Sequence, residues 1–203
     1  MAQAPVGAKD NADMRTSGLA ASAMLACSIV LLAACSPALN WRTVQLKDAA
    51  LQIILPCDPQ AATRPVPMGR AVVQLSVLGC EAQGSTYAVS HFQLADPAGA
   101  ARALGYWQQA VLNQLRSETD PGSAAVLQAQ GDGPWVPRGA LNLPQSRRIT
   151  FEGLSSQGQK VTGHGLWFAR IEGTGVRLYH AVIYGRKAQP AEADMFFSGL
   201  QLQ

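Results

Sequence analysis

From Leu19 to Ala34 the chain carries no charge, and the run stops at a cysteine, Cys35. Its 16 alanine-rich residues fall short of the roughly 20 apolar residues that a helix needs to cross a bilayer. Residues 1–18 are polar and small, with Lys9 and Arg15 as their only cations. A weakly positive stretch, a short apolar core and closing small residues together make a secretory signal, which is removed before the remainder folds. Met14-Arg15 would make a more typical start, so residues 1–13 read as an upstream extension. The alternative is an uncleaved signal anchor in which Cys35 is incidental.

The end of the run is more specific. Leu32-Ala33-Ala34-Cys35 resembles the lipobox of bacterial lipoproteins, whose cysteine is acylated before the signal peptidase cuts ahead of it. The resemblance implies a signal over residues 1–34, an acylated anchor and short tether over 35–40, and one domain over 41–203. Several acyl chains matter, because one chain alone gives only marginal, reversible attachment. Ser36 favours the outer membrane over the inner by the same likeness, with the domain on the periplasmic face of the envelope. Cys27 is a poorer acceptor, since it lies inside the apolar run without the small pair before it.

With Cys27 set aside and Cys35 acylated, Cys57 and Cys80 remain. An even number of cysteines in an exported domain reads as a disulfide. Closing that 24-residue segment would stabilise the fold by about 3.5 kcal/mol in the chain-entropy picture. The chain has no Cys-x-x-Cys for redox exchange, and the nearest histidine, His91, is alone as a zinc ligand.

The domain divides by pattern. Residues 41–46 and 51–55 predict short strands, stopped by Pro56 and Pro59. Arg64-Pro-Val-Pro67 predicts a connector or a sheet edge, because proline cannot donate to a ladder. Residues 71–78 and 86–94 predict a hairpin around Gln83-Gly84-Ser85, with Tyr87, Val89 and His91 on one face and Ala88, Phe92 and Leu94 on the other. Asp96-Pro97 is a helix start, and Leu104, Trp107, Val111 and Leu115 form an apolar stripe behind it. Residues 117–144 are rich in Pro, Gly, Ser and Gln, with one strand near 125–130. Residues 147–152, 160–171 and 176–184 predict a three-stranded meander, then a short helix over 191–197 and the apolar end Leu200-Gln-Leu202. The fold class is α+β: an antiparallel sheet flanked by one long and one short helix.

Leu166-Trp-Phe168, Arg177-Leu-Tyr179, Val182-Ile-Tyr184 and Phe196-Phe197-Ser198-Gly199-Leu200 resemble the ending of PsbP-like domains. That likeness implies a PsbP-like sandwich and an adaptor or assembly role, and it supplies no catalytic residue. The whole chain after Cys35 is also similar to small proteobacterial lipoproteins.

The formal charge of +3 is scattered, with Arg147-Arg148 and Arg186-Lys187 as the densest spots. Nucleic-acid binders need a stripe that neutralises several phosphates together, so nucleic acid is not an expected partner. Gly-x-Ser-x-Gly is absent, and Gly131-Asp-Gly133 and Glu172-Gly-Thr-Gly175 read as turns rather than phosphate loops. The acidic residues, Glu172 among them, read as solvated turn or helix-end groups. His91 and His180 fall in strands as half-buried core histidines. His164, between two glycines, is expected to be the most exposed and could meet His180 across paired strands, an incomplete metal site. No metal and no cofactor is expected. Trp107, Trp167, Tyr179 and His164 are the residues expected to border an apolar ligand groove, with Leu166 and Phe168 on the opposite face. Three functions stay open: a lipid-anchored binding or assembly module with an envelope partner, a carrier or sensor of a small apolar ligand, and an enzyme with an unrecognised site.

Overall fold

Hydrophobic alternation in this chain serves two faces at once. The computed structural model describes residues 39–69, 71–115, 126–129, 136–155, 157–186 and 190–203. The leader, Cys27, Cys35 and Trp135 lie outside the described residues. Strands β1 (Arg42–Gln45), β2 (Leu51–Leu55), β3 (Gln60–Met68), β4 (Ala71–Ala82) and β5 (Ser85–Leu94) come first, then helix α1 (Ala100–Leu112). After them follow β6 (Val126–Ala129), β7 (Arg148–Leu154), β8 (Lys160–Glu172), β9 (Gly175–Gly185), helix α2 (Pro190–Ser198) and β10 (Gln201–Leu202). The architecture is mixed α and β, mostly β, and its pairings are antiparallel. Among the described residues no helix is long and apolar enough to cross a membrane.

The strands form two sheets rather than the single one expected. Seven lie in the order β3-β4-β5-β9-β8-β7-β6, and three in the order β1-β2-β10. The apolar end of the chain therefore has a partner: Leu202 pairs with Leu51. The small sheet and α2 cover one face of the large sheet, where Leu51, Ile53, Leu55, Phe168, Phe196 and Phe197 share a core. Helix α1 covers the other face with Leu104 and Trp107 against Phe92, Trp167 and Leu178. Burial on both faces explains why β8 and β9 lack polar alternation through their middles.

Local chemistry sets the ends of the elements. Asp96 caps a 3-10 turn over Pro97–Gly99, its carboxylate accepting from Ala98 N at 2.9 Å, and α1 continues from there. The buried stripe of α1 is Ala100, Leu104, Trp107, Gln108 and Leu112, rotated from the expected one, so Val111 and Leu115 stand half-buried at its flank. Between β4 and β5, Ala82 pairs with Ser85 around a two-residue turn in which Gln83 and Gly84 both take positive φ, 51° and 74°. That left-handed pair matches the strand twist and suits glycine at its second position. The proline-rich segment proves to be an edge strand, β3, bonded among the described residues to β4 alone. Pro65 and Pro67 leave its outer rim short of donors and blunt it against edge-to-edge pairing.

Cys57 and Cys80 form a disulfide with Cα atoms 5.9 Å apart, within the ordinary range. Cys57 follows β2 and Cys80 lies buried in β4, so the bond fastens the small sheet to the large one. Arg170 adds a second tie, donating to Ala50 O in the β1–β2 turn at 3.2 Å. We expect replacement of both cysteines by serine to lower unfolding stability by about 3.5 kcal/mol, read as a fall in the urea midpoint. Without reduction, neither thiol should take up an alkylating reagent; free thiols in the native protein would contradict the bond.

Candidate functional site

The turn between β8 and β9 decides which side chains can meet. Glu172 pairs with Gly175 around two residues, so Trp167 stands opposite His180 and Phe168 opposite Tyr179. Residues opposite each other share a face, and a one-residue shift would exchange the faces. The expected groove of Trp107, Trp167, Tyr179 and His164 therefore does not assemble. Trp107 and Trp167 lie on the α1 side, whereas Tyr179 joins Phe168 and Leu166 on the α2 side. His164, two residues before Leu166, also faces the α2 side and is 4% exposed, not open to solvent as expected. His164 and His180 consequently point to opposite faces and do not meet. The glycines beside His164 admit rings of the protein itself. A Cβ on Gly163 would stand 2.5 Å from the Phe151 ring, and one on Gly165 would stand 2.6 Å from the Trp167 ring.

On the α1 side His180 is clamped between tryptophans. Its ring stacks on Trp167 at 4.1 Å and 12°, and Trp107 meets it edge-on at 5.6 Å. Phe92 packs on Trp107 at 5.0 Å. His180 is 5% exposed, and its Nε2 has no hydrogen-bond partner; Trp167 Nε1 and Gln108 Nε2 are buried in the same condition. Burial lowers the His180 pKa to about 3, so the ring is neutral at ordinary pH. Beside this clamp a groove of about 460 Å³ opens between the end of α1 and strands β7–β9. Val111, Leu115, Phe151, Val161 and Val182 supply its apolar walls, His180 reaches it, and Asn113, Gln114, Ser155 and Tyr184 add polar groups to its lining.

The α2 side holds two polar clusters. In one, Glu172 accepts from Arg177 Nε at 2.7 Å and from the Tyr179 hydroxyl at 2.9 Å. Arg177 also donates from Nη1 to His91 Nδ1 at 3.1 Å and reaches Gln93 Oε1 at 3.4 Å. His91 is thus an acceptor at Nδ1; burial first, then the Arg177 charge, lowers its pKa to about 4 against opposing pulls from Asp48 and Glu172. Burial and the bond to Glu172 raise the Tyr179 pKa. Glu172 is therefore a structural anchor, not a solvated turn acid. The register of the tight turn carried the signal, since it sets Glu172 diagonally beside Arg177. In the other cluster, Arg148 pairs with Asp194 at 2.7 Å and lies over the Phe197 ring at 4.6 Å. Nearby, Thr150 Oγ1 and His164 Nδ1 are 3.0 Å apart, and His164 Nε2 has no partner. Burial, then Arg148, lowers the His164 pKa. At the outer end Tyr87 donates to Glu192 at 2.5 Å. Among the described residues no three His, Cys, Asp or Glu side chains gather closely enough to hold a metal.

Comparison with known proteins finds no matching family model and no similar characterised protein. The fold is mixed and mostly β, two antiparallel sheets with two helices, and carries two polar clusters on one face of the large sheet and an apolar groove on the other.

All three histidines have folded pKa values depressed below the unfolded value, near 6.5. Their neutral forms stabilise the fold fully above that value, and stability is lost as pH falls toward about 4 for His91 and about 3 for His180. We expect the urea midpoint to drop between pH 7.5 and pH 4.5, and His180→Phe to flatten that drop. An equal slope in the variant would contradict a neutral, buried His180.

Proposed function

We propose that the chain is exported, cut ahead of Cys35 and held by acyl chains on that cysteine at the periplasmic face of the outer membrane. There the domain over 41–203 acts as a non-catalytic binding or assembly module for an envelope protein. The observation that carries this reading is the Cys57–Cys80 disulfide. Such bonds form and persist in oxidising compartments, and the apolar run ending at Leu32-Ala33-Ala34-Cys35 supplies a route into one. Anchoring confines the domain to a surface, so contacts of modest affinity suffice.

The PsbP-like form of the sandwich rests on the ending of the chain: the β8–β9 hairpin, then α2 with Phe196 and Phe197 buried beneath it. An adaptor role follows from that likeness. A second reading, a carrier or sensor of a small apolar ligand, is favoured by the groove of about 460 Å³ beside His180.

Labelling cells with an alkyne analogue of palmitate tests the anchor. We expect the wild-type protein to carry label and Cys35→Ala to lose it and accumulate as precursor; undiminished labelling of the variant would remove the lipobox reading. In-cell crosslinking then tests the module. A reproducible envelope partner, lost when the domain but not the anchor is altered, supports it, and no partner above an anchor-only control overturns it.

A further inference from the structure

We propose that the groove between the end of α1 and strands β7–β9 binds a neutral apolar molecule bearing one hydroxyl or carbonyl group, which hydrogen-bonds to His180 Nε2. This rests on the ligand-carrier reading and names the chemical class of the ligand.

The space is the right size. About 460 Å³ lies within the range of roughly 300–1,000 Å³ typical of small-molecule sites. Its walls are the side chains of Val111, Leu115, Phe151, Val161 and Val182, and no charged residue stands among its described lining residues. An apolar body fits such walls, whereas a carboxylate or ammonium would lose its hydration with no opposite charge to replace it.

One polar group sets the ligand's orientation. His180 is 5% exposed and borders the groove, yet its Nε2 lacks a partner. The stack on Trp167 and the edge of Trp107 hold the ring in place. Only glycine fits beside that nitrogen at position 165, since a Cβ there would stand 3.3 Å from it and 2.6 Å from the Trp167 ring. A neutral imidazole offers either a donor or an acceptor at Nε2 according to its tautomer, so a carbonyl or a hydroxyl can complete it. The larger groove over β3–β5 differs on both counts: Asp58 and Glu81 border it, and none of its described lining residues has a buried polar side-chain atom without a partner.

The test uses the full-length protein in its membrane and a photoreactive diazirine analogue of decanol, with labelled peptides mapped by mass analysis. We expect label on β8–β9 and the end of α1, displaced by excess 1-decanol but not by decanoate. His180→Phe keeps the ring stack and the fold, checked by circular dichroism, and should weaken labelling about tenfold, the loss expected when a buried hydrogen bond is removed. Val161→Trp fills the groove and should abolish labelling. Equal displacement by decanoate, or undiminished labelling of His180→Phe, overturns the ligand class assigned here while leaving a carrier of apolar molecules standing. No label in these peptides above that of an unrelated lipid-anchored protein overturns both.

Discussion

Two residues between Glu172 and Gly175 fix more of this molecule than any single contact in its core. With a two-residue turn, β8 and β9 pair so that Trp167 faces His180 and Phe168 faces Tyr179. The pair sits inside the seven-stranded sheet, bounded by β5 on one side and β7 on the other. Whatever face a residue takes there is propagated outward by antiparallel pairing: Tyr179 aligns with His91, Ser90 with His180 and Thr150 with His164. A slip of β8 by one residue would turn Trp167 toward the small sheet and Glu172 toward α1, parting it from Arg177. The tight hairpin is thus the constraint on which both cores and both kinds of polar site rest.

Much of the fold was legible because propensity and tertiary packing agree. The hairpin over 71–94, the Asp96 cap, the final meander and the short last helix follow from alternation, turn chemistry and capping, which are local. Elements that need distant partners were less visible. Leu200-Gln-Leu202 is apolar, but that Leu202 pairs with Leu51 depends on a fold closing across nearly the whole domain. The proline pair at 65 and 67 suits a linker or an edge equally well; only β4 alongside decides for the edge. The disulfide was readable from cysteine arithmetic, since exclusion of Cys27 and Cys35 left a single pair.

The site was less legible, and the failures share a cause. Assigning Trp167 and Tyr179 to one face required the register to an odd or even residue, and local pattern in strands buried on both sides carries no such information. The glycines that flank His164 suggest exposure, yet Gly163 and Gly165 lie under Phe151 and Trp167, where a Cβ would not fit. Glu172 begins a turn, as its sequence context suggests, but its carboxylate bends back onto Arg177 and Tyr179.

Buried polarity is treated differently around Glu172 and under α1. Around Glu172 each side chain of the cluster has partners: both carboxylate oxygens, three Arg177 nitrogens and His91 Nδ1 are engaged. Such a network rigidifies its surroundings and leaves little for a ligand to complete. Under α1, by contrast, Gln108, Trp167 and His180 each bury a nitrogen without a partner. An unsatisfied group of this kind costs about 1–3 kcal/mol, and phenylalanine at 180 would keep the stack on Trp167 without that cost. Stability alone therefore gives no reason for histidine there. A hydrogen bond made only when the adjoining groove is occupied does.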